Sequence, residues 1–276
     1  MNDSFADKLA RAQTDSGSLL CVGLDPDPDR LPASLKESSD TIGAVRSFCQ
    51  QVIEATSPFT CAFKVNFAFF EALGPEGWRL LKEVSDEIPA SKIGIADAKR
   101  GDIGNTGRFY AKAVFEHMSF DACTVAPYIG KSSVIPFLQY RDKAAFVLAR
   151  TSNADAGEIQ LWPSDDAPLF RYVAERVTAW EAECPGTAGL VVGATDLLSL
   201  ADLRRTCPEL PFLVPGVGAQ GGDLESVIDK GATGRGRLII NSSRSILYAS
   251  ADRDFAEAAG RAAEELRDRM RNALVS

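Results

Sequence analysis

The segment Asp97-Ala98-Lys99-Arg100-Gly101-Asp102 brings carboxylates and an ammonium group close together along the chain. In an extended strand, residues two apart project to the same side, so Asp97 and Lys99 should face the same space. Lys64 lies at the end of the preceding apolar run and would add a second ammonium group. Lysines interleaved with carboxylates stay protonated and fixed in place. Such a lysine can stabilise a developing carbanion and then donate a proton to it, without a metal or an organic cofactor.

The Asp-x-Lys spacing also has a simpler interpretation. A run of surface charge that precedes a helix, with Asn105 or Thr106 as the helix cap, would have the same appearance. Taken alone, the spacing is equally consistent with both interpretations. The lysine at the end of the neighbouring strand, Lys64, favours the catalytic one.

A second group of residues has the composition of an anion site. The turn 215–223 (PGVGAQGGD) is rich in glycine, which lets backbone N–H groups approach an anion closely. Arg244 follows the next apolar run, and arginine binds phosphate through two parallel hydrogen bonds. A glycine-rich turn by itself is most often only a turn. The two segments together favour a phosphate site.

Short apolar runs alternate with longer segments of helical period along the chain. The runs, which predict strands, are 19–24, 61–65, 93–96, 122–125, 144–149, 190–192, 212–214 and 238–240. The helical segments are 41–56, 75–87, 105–117, 131–139, 165–183, 196–206, 223–229 and 252–272, and an amphipathic helix is predicted over 3–15. Nearly continuous apolar strands are typical of a parallel sheet that is buried on both faces. Eight strands, each followed by a helix, predict a (β/α)8 barrel; an open doubly wound sheet is the competing architecture.

The carboxyl ends of barrel strands converge at one mouth, where barrel enzymes place their active sites. The residues at or just after the predicted strand ends are charged, small or polar. They are Asp25, Lys64, Asp97, Lys99, Ser152, Gly193, Gly216 and Arg244. A charge near the lumen is costly to bury unless it is paired, so alternating Lys and Asp predicts mutual pairing at this mouth.

Composition narrows the class of protein further. The 276 residues are 45% hydrophobic and 25% charged, which predicts one globular domain over 1–276. The net charge of −8 argues against a nucleic-acid partner. The scattered cysteines and the single histidine, His117, argue against a metal site and against a His-based triad. The absence of a signal peptide and of a long apolar span predicts a cytoplasmic protein without membrane contact.

Several motifs, in order along nearly the whole chain, resemble the orotidine 5′-phosphate decarboxylase family, in its longer bacterial branch. The motifs are GLDP at 23–26, FKVN at 63–66, DAKRGDIGNT at 97–106, PYIG at 127–130, RTSN at 150–153, 215–222, and RSI at 244–246. Any one of them could mislead, but together and in register they are specific. The resemblance implies that orotidine 5′-phosphate loses CO2 to give uridine 5′-phosphate, with no cofactor.

The resemblance also implies roles for the residues of the charged array. Lys99 would stabilise the vinyl carbanion at C6 and then protonate it. Asp97 would lie against the substrate carboxylate, where it would raise ground-state strain or hold Lys99 in place. Lys64 and Asp25 would bind the ribose hydroxyl groups and complete the array.

Residues beyond the array take binding roles by the same resemblance. Ser152 would contact the pyrimidine ring, and Gln220 and Arg244 would bind the phosphate as the 216–222 loop closes. Asp102 and Thr106 would reach into the neighbouring subunit's site, so a homodimer with shared active sites is expected. Arg100 has no assigned role, and a surface salt bridge is its simplest interpretation.

Two other functions stay open at this point. One is a related barrel enzyme that acts on a sugar phosphate, such as a magnesium-dependent keto-gulonate phosphate decarboxylase. The other is a non-catalytic nucleotide-binding or regulatory protein on the same scaffold. Loss of Lys64, Asp97 or Lys99 would indicate the regulatory case, and all three are present. The fold alone does not separate these functions.

Overall fold

Eight parallel strands close into a barrel in the order of the sequence, with the last strand paired to the first. The computed structural model describes residues 3–38, 40–163, 167–217, 222–233 and 237–275. The strands are β1 Leu20–Leu24, β2 Ala62–Asn66, β3 Ile93–Arg100, β4 Ala122–Val125, β5 Ala144–Arg150, β6 Thr187–Val192, β7 Phe212–Pro215 and β8 Leu238–Ser242. All eight predicted strands are present, and the barrel is closed rather than an open sheet.

Helices follow the strands and cover the outside of the barrel. They are α1 Phe5–Ser16, α2 Ala33–Ser38, α3 Thr41–Thr56, α4 Phe67–Glu71, α5 Pro75–Glu87, α6 Gly104–Lys112, α7 Lys131–Leu138, α8 Gly157–Gln160, α9 Leu169–Glu181, α10 Leu197–Thr206, α11 Leu224–Gly231, α12 Arg244–Leu247 and α13 Phe255–Val275. The predicted helices lie within a few residues of these bounds. In the described ranges, no helix is long and apolar enough to cross a membrane.

One predicted helix boundary was wrong, and one predicted helix is not α-helical throughout. The helix predicted from 165 starts at Leu169, because Pro168 is in an extended conformation at the N-cap and is bridged to Pro163. The helix predicted over 105–117 changes at Ala113 into a wider π-helical turn. Val114 and Phe115 are buried within that turn.

The lumen of the barrel is apolar at its amino-terminal end. Side chains from alternate strand positions fill this end, and α1 packs across it. Phe5 of α1 contacts Phe146 of β5 edge-on, with ring centroids 6.0 Å apart. Lys8 of α1 also pairs with Asp121, just before β4, at 2.6 Å. In the described part of the chain, α1 therefore closes this end, and the lumen opens at the opposite mouth.

Arg204 on α10 is a buried cation that joins the chain segments leading into β7 and β8. Arg204 is 7% exposed, and its guanidinium lies 3.6 Å from the centroid of the Phe212 ring. It donates hydrogen bonds to the backbone carbonyls of Gly231, Cys207, Pro208, Leu210 and Arg237. Burial lowers the pKa of Arg204 to about 10, so the group is still charged at pH 7.

Replacing Arg204 with methionine should lower the free energy of unfolding by about 3 kcal/mol, because buried carbonyls lose a charged donor. Urea unfolding followed by circular dichroism measures the change. Arg205→Met is the matched control, since Arg205 is exposed and pairs with Asp202 at 3.1 Å. The control should change stability by no more than about 0.5 kcal/mol. Equal effects of the two substitutions would contradict this structural role.

Candidate active site

A cavity of about 500 Å³ opens at the carboxyl-terminal mouth of the barrel. The residues that line it come from the ends of strands and from the loops that follow them. They are Asp25, Lys64, Asn66, Asp97, Lys99, Thr124, Leu148, Thr151, Ser152, Asn153, Gln160, Val191, Leu213, Pro215, Gly216, Val217, Asn241, Ser243 and Arg244. The predicted convergence of the strand ends on one mouth is confirmed. The cavity has an apolar floor and a polar wall.

The polar wall centres on an ion-pair array that joins three strands. Lys64 on β2 donates to Asp97 Oδ2 on β3, with 2.8 Å between Nζ and oxygen. The same ammonium lies 3.6 Å from Asp25 Oδ1, just after β1. Lys99 Nζ binds the other oxygen of Asp97 at 2.6 Å. Asp97 therefore has one lysine at each carboxylate oxygen.

The two lysines of this array differ in exposure. The side chain of Lys64 is 6% exposed and that of Asp97 is 11% exposed, so both belong to the wall. The side chain of Lys99 is 53% exposed and borders the open cavity. Lys99 is therefore the ammonium group that a bound molecule can contact most directly.

Electrostatics keeps the buried members of the array charged. Burial alone would lower the pKa of Lys64, but the charges of Asp25 and Asp97 outweigh it and raise that pKa above its usual range. Burial would likewise raise the pKa of Asp97, yet Lys64 and Lys99 hold it well below its ordinary value. Lys64 is thus an ammonium and Asp97 a carboxylate at neutral pH.

Hydrogen bonds hold the turn after β5 at the edge of the cavity. Gln160 on α8 accepts from the Thr151 N–H at 2.8 Å and donates to the Thr151 hydroxyl at 2.8 Å. Arg150 beneath this turn pairs with Asp196 at 3.0 Å. A Cβ at Gly193 would lie 2.9 Å from the Ser152 backbone nitrogen, so only glycine allows this packing. These contacts bring Ser152 to the cavity, as predicted.

The opposite side of the cavity is formed by the ends of β7 and β8. Gly216 follows β7 with a φ of +102°, a conformation that favours glycine. Arg244 begins α12, is exposed and borders the cavity. Gln220, which was predicted to bind phosphate, lies outside the described residues. A glycine turn and an arginine thus face the same space, at the two strands where barrel enzymes often bind phosphate.

Asp102 and Thr106 do not line the cavity of their own chain. Asp102 accepts a hydrogen bond from the Ile103 N–H at 2.7 Å, and Thr106 is exposed on α6. Large apolar side chains are exposed on α6, just before α6 and in the loop before α7. We call these residues the α6–α7 patch: Ile103, Phe109, Tyr128 and Ile129, which are 55%, 66%, 89% and 53% exposed. Arg100 turns away from the cavity and pairs with Glu71 at 2.7 Å.

Three residues that no motif predicted belong to the site or support it: Thr124, Asn241 and Tyr248. Thr124 and Asn241 are polar residues near the ends of apolar strands, and this break in the apolar pattern could have predicted them. The Asn241 side-chain oxygen is buried beside the cavity without a hydrogen-bond partner among the described residues. The Tyr248 hydroxyl donates to the Asp25 carbonyl at 3.0 Å and accepts from the Asp27 N–H at 2.9 Å. Tyr248 thereby fixes the backbone that carries Asp25.

The donor set of the site suits anions and hydroxyl groups. Across the described part of the chain, no group of three or more His, Cys, Asp or Glu side chains is arranged to hold a metal ion. Both oxygens of Asp97 face ammonium groups. The two lysines and Arg244 present positive charge on an acidic protein, which suits a ligand with carboxylate or phosphate groups.

A closed (β/α)8 barrel with a lysine–aspartate array at its carboxyl-terminal mouth defines the class: a barrel enzyme with acid–base chemistry at the strand ends. The sequence model of the orotidine 5′-phosphate decarboxylase / HUMPS family matches residues 18–259. The chain belongs to this family, as its motifs predicted.

Individual relatives support the same assignment. A protein named orotidine 5′-phosphate decarboxylase from Dehalococcoides mccartyi (strain CBDB1) is 45% identical over 269 residues, 96% of each chain. One of the same name from Ralstonia pickettii (strain 12J) is 46% identical over 270 residues, 96% of this chain and 97% of that relative. The solved structure of Leishmania donovani OMP decarboxylase has a TM-score of 0.82 at 39% identity, and the match covers 96% of this chain and 100% of that chain.

Proposed function

We propose that this chain decarboxylates orotidine 5′-phosphate to uridine 5′-phosphate, the last step of de novo UMP synthesis. The observation that carries the proposal is the array in which Asp97 binds Lys64 at 2.8 Å and Lys99 at 2.6 Å at the cavity. The names of the relatives from Dehalococcoides and Ralstonia support it. A regulatory protein would not need such an array, because nucleotide binding requires no proton donor.

In the proposed reaction, the bond between C6 and the substrate carboxylate breaks and CO2 leaves. The electron pair of that bond stays on C6, where the Lys99 ammonium stabilises it. Lys99 then transfers a proton from Nζ to C6, which gives UMP and a neutral amine that regains a proton from water. Asp97 supports this step because its contact with Nζ holds the ammonium in place before the substrate binds.

The rest of the substrate is bound by residues around the array. Lys64 and Asp25 bind the ribose hydroxyl groups, and Ser152 contacts the pyrimidine ring. The phosphate binds at Gly216 and Arg244, with Gln220 as a further donor. Binding energy from the phosphate, which does not react, helps to organise the site and so contributes to the rate of the chemical step.

The active enzyme in this proposal is a homodimer with shared sites. The α6–α7 patch exposes four large apolar side chains next to Asp102 and Thr106, and such patches are usually covered by a partner. A two-fold contact there would bring both residues to the other subunit's cavity. We also propose that the chain is one domain and that it acts in the cytoplasm without an organic cofactor.

A direct assay tests the activity. Chelator-treated protein should convert orotidine 5′-phosphate at about 1–1,000 turnovers per second, followed by substrate absorbance. Added Mg²⁺ should change this rate by less than about twofold, because the proposed chemistry uses only side chains. Keto-gulonate phosphate with Mg²⁺ should give no CO2. Absence of turnover at saturating orotidine 5′-phosphate, or CO2 only from the sugar phosphate, would contradict the proposal.

A further inference from the structure

β3 separates from β4 at the point where it carries Asp97 and Lys99. Ala96 pairs with Cys123 and Arg100 pairs with Val125, so four residue steps on β3 span two steps on β4. Two extra residues of β3 therefore bulge toward the cavity. Within this bulge, Lys99 has a φ of +45°, a conformation that L-residues other than glycine rarely adopt. The surrounding structure must hold Lys99 in this conformation.

Thr124 lies opposite the bulge and contacts both functional residues through one hydroxyl group. Its Oγ1 accepts a hydrogen bond from the Lys99 N–H at 3.0 Å. The same hydroxyl donates to Asp97 Oδ1 at 3.0 Å. Asp97 Oδ1 is also the oxygen that binds Lys99 Nζ. One buried side chain thus ties the backbone of Lys99 to the carboxylate that holds its ammonium.

We propose that Thr124 is a positioning residue for the reaction at Lys99. Its hydroxyl keeps the backbone of the bulge in place and orients Asp97, so that the Lys99 ammonium points at the reacting carbon. This inference rests on the proposed function, because it assigns Thr124 a role through the proton donor. Thr124 is 2% exposed, so its role concerns the geometry of the array rather than contact with bulk solvent.

The chemistry of this position requires a short side chain that both donates and accepts. Threonine and serine meet that requirement on a β-strand, and valine has the shape of threonine without the hydroxyl. In Thr124→Val, the Lys99 N–H loses its partner and Asp97 Oδ1 loses one of its donors. Because valine is favoured in strands and fills nearly the same volume, the barrel should still fold.

Steady-state kinetics of Thr124→Val and Thr124→Ser test the inference. Thr124→Val should lower kcat about 100-fold, because small errors in the position of a reacting group cost about that much. The KM for orotidine 5′-phosphate and the Kd for UMP should change less than about threefold, because the phosphate and ribose contacts remain. Thr124→Ser, which keeps the hydroxyl, should recover kcat to within about fivefold of the wild type.

Thr56→Val is the matched control. Thr56 is a buried threonine at the end of α3 that donates a hydrogen bond to the Val52 carbonyl and does not line the cavity. Its replacement should leave kcat within about twofold of the wild type. If Thr124 only stabilised the fold, Thr124→Val and Thr124→Ser would lower kcat equally, or the affinity for UMP would fall as much as kcat does. Either result, or a Thr124→Val enzyme with kcat within about threefold of the wild type, would overturn the inference.

A crystal structure of Thr124→Val separates this inference from the proposed function. The inference predicts that Lys99 leaves the left-handed conformation and that its ammonium moves, while the Lys64–Asp97 pair remains. An unchanged Lys99 would overturn the inference whatever reaction the enzyme catalyses. Lack of decarboxylation by the wild-type enzyme would instead overturn the proposed function. The conformation of Lys99 in Thr124→Val would still show whether Thr124 holds Lys99 in place.

Discussion

Replacing Lys99 with alanine should lower kcat/KM for orotidine 5′-phosphate by at least about 10⁴-fold, because in the proposed mechanism the substitution removes both the charge beside C6 and the proton donor. The fold should be retained, since the side chain is 53% exposed and packs little. The affinity for UMP should change less than about tenfold, because the proposed phosphate site at Arg244 and Gly216 is left intact. Turnover assays together with calorimetric UMP titration measure the two effects.

Two further variants sharpen this test. Lys99→Arg keeps a positive charge beside Asp97 but supplies no transferable proton near neutral pH, so it should be nearly as inactive as Lys99→Ala. Lys82→Ala is the matched control, since Lys82 pairs with Asp86 on the outer face of α5 at 2.5 Å. The control should retain full activity. A Lys99→Ala enzyme with more than about 1% of the wild-type rate would remove Lys99 as the proton donor.

A shared active site should be revealed by mixing two inactive variants. Asp102→Ala should lose at least about 100-fold in kcat/KM, because its carboxylate belongs to the partner's array in the proposed dimer. After subunit exchange with Lys99→Ala, half of the dimers carry one subunit of each kind. Each mixed dimer has one site with both defects and one site with neither. The mixture should therefore recover about a quarter of the wild-type activity.

The control for this experiment mixes two variants of the same side of the site. In a dimer of Lys99→Ala with Lys64→Ala, each site keeps one defect, so no activity should return. Recovery of activity in both mixtures would indicate that intact enzyme is present as a contaminant, rather than that the sites are shared. Lack of recovery with Asp102→Ala, after mass spectrometry has verified the mixed dimers, would contradict the composite site.

The sequence by itself determined the strands, most helices and the identity of the charged array. Apolar runs predict strands because a parallel sheet covered on both faces leaves few positions for polar residues. Charged residues at the ends of those runs predicted the site for the same reason, because a buried sheet has few positions for them. Lys64, Asp97 and Lys99 are charged residues at strand ends, and the ion pair between Asp97 and Lys99 confirms the prediction that these two side chains face the same space.

Other features depended on contacts that the local pattern of residue types does not predict. The start of α9 depended on the extended conformation of Pro168, which is bridged to Pro163, and the helix that begins as α6 widens into a π-helical turn at Ala113. The docking of Gln160 on Thr151 joins two ends of a loop whose path no local pattern predicts. Local periodicity carries no information about such contacts, since each requires a particular arrangement of two segments.

The geometry of the array itself was decided by tertiary structure. The sequence supplies Asp97 and Lys99, but the bulge that presents them exists only against β4, where Thr124 lies 25 residues after Lys99. The positive φ of Lys99 is unfavourable for an isolated chain and persists because the neighbouring strand bonds its backbone. Residue types therefore determined which groups could do the chemistry. The parallel pairing of β1 to β4 decided where those groups point, and closure of the barrel brought the ends of β7 and β8, with Gly216 and Arg244, to the same mouth.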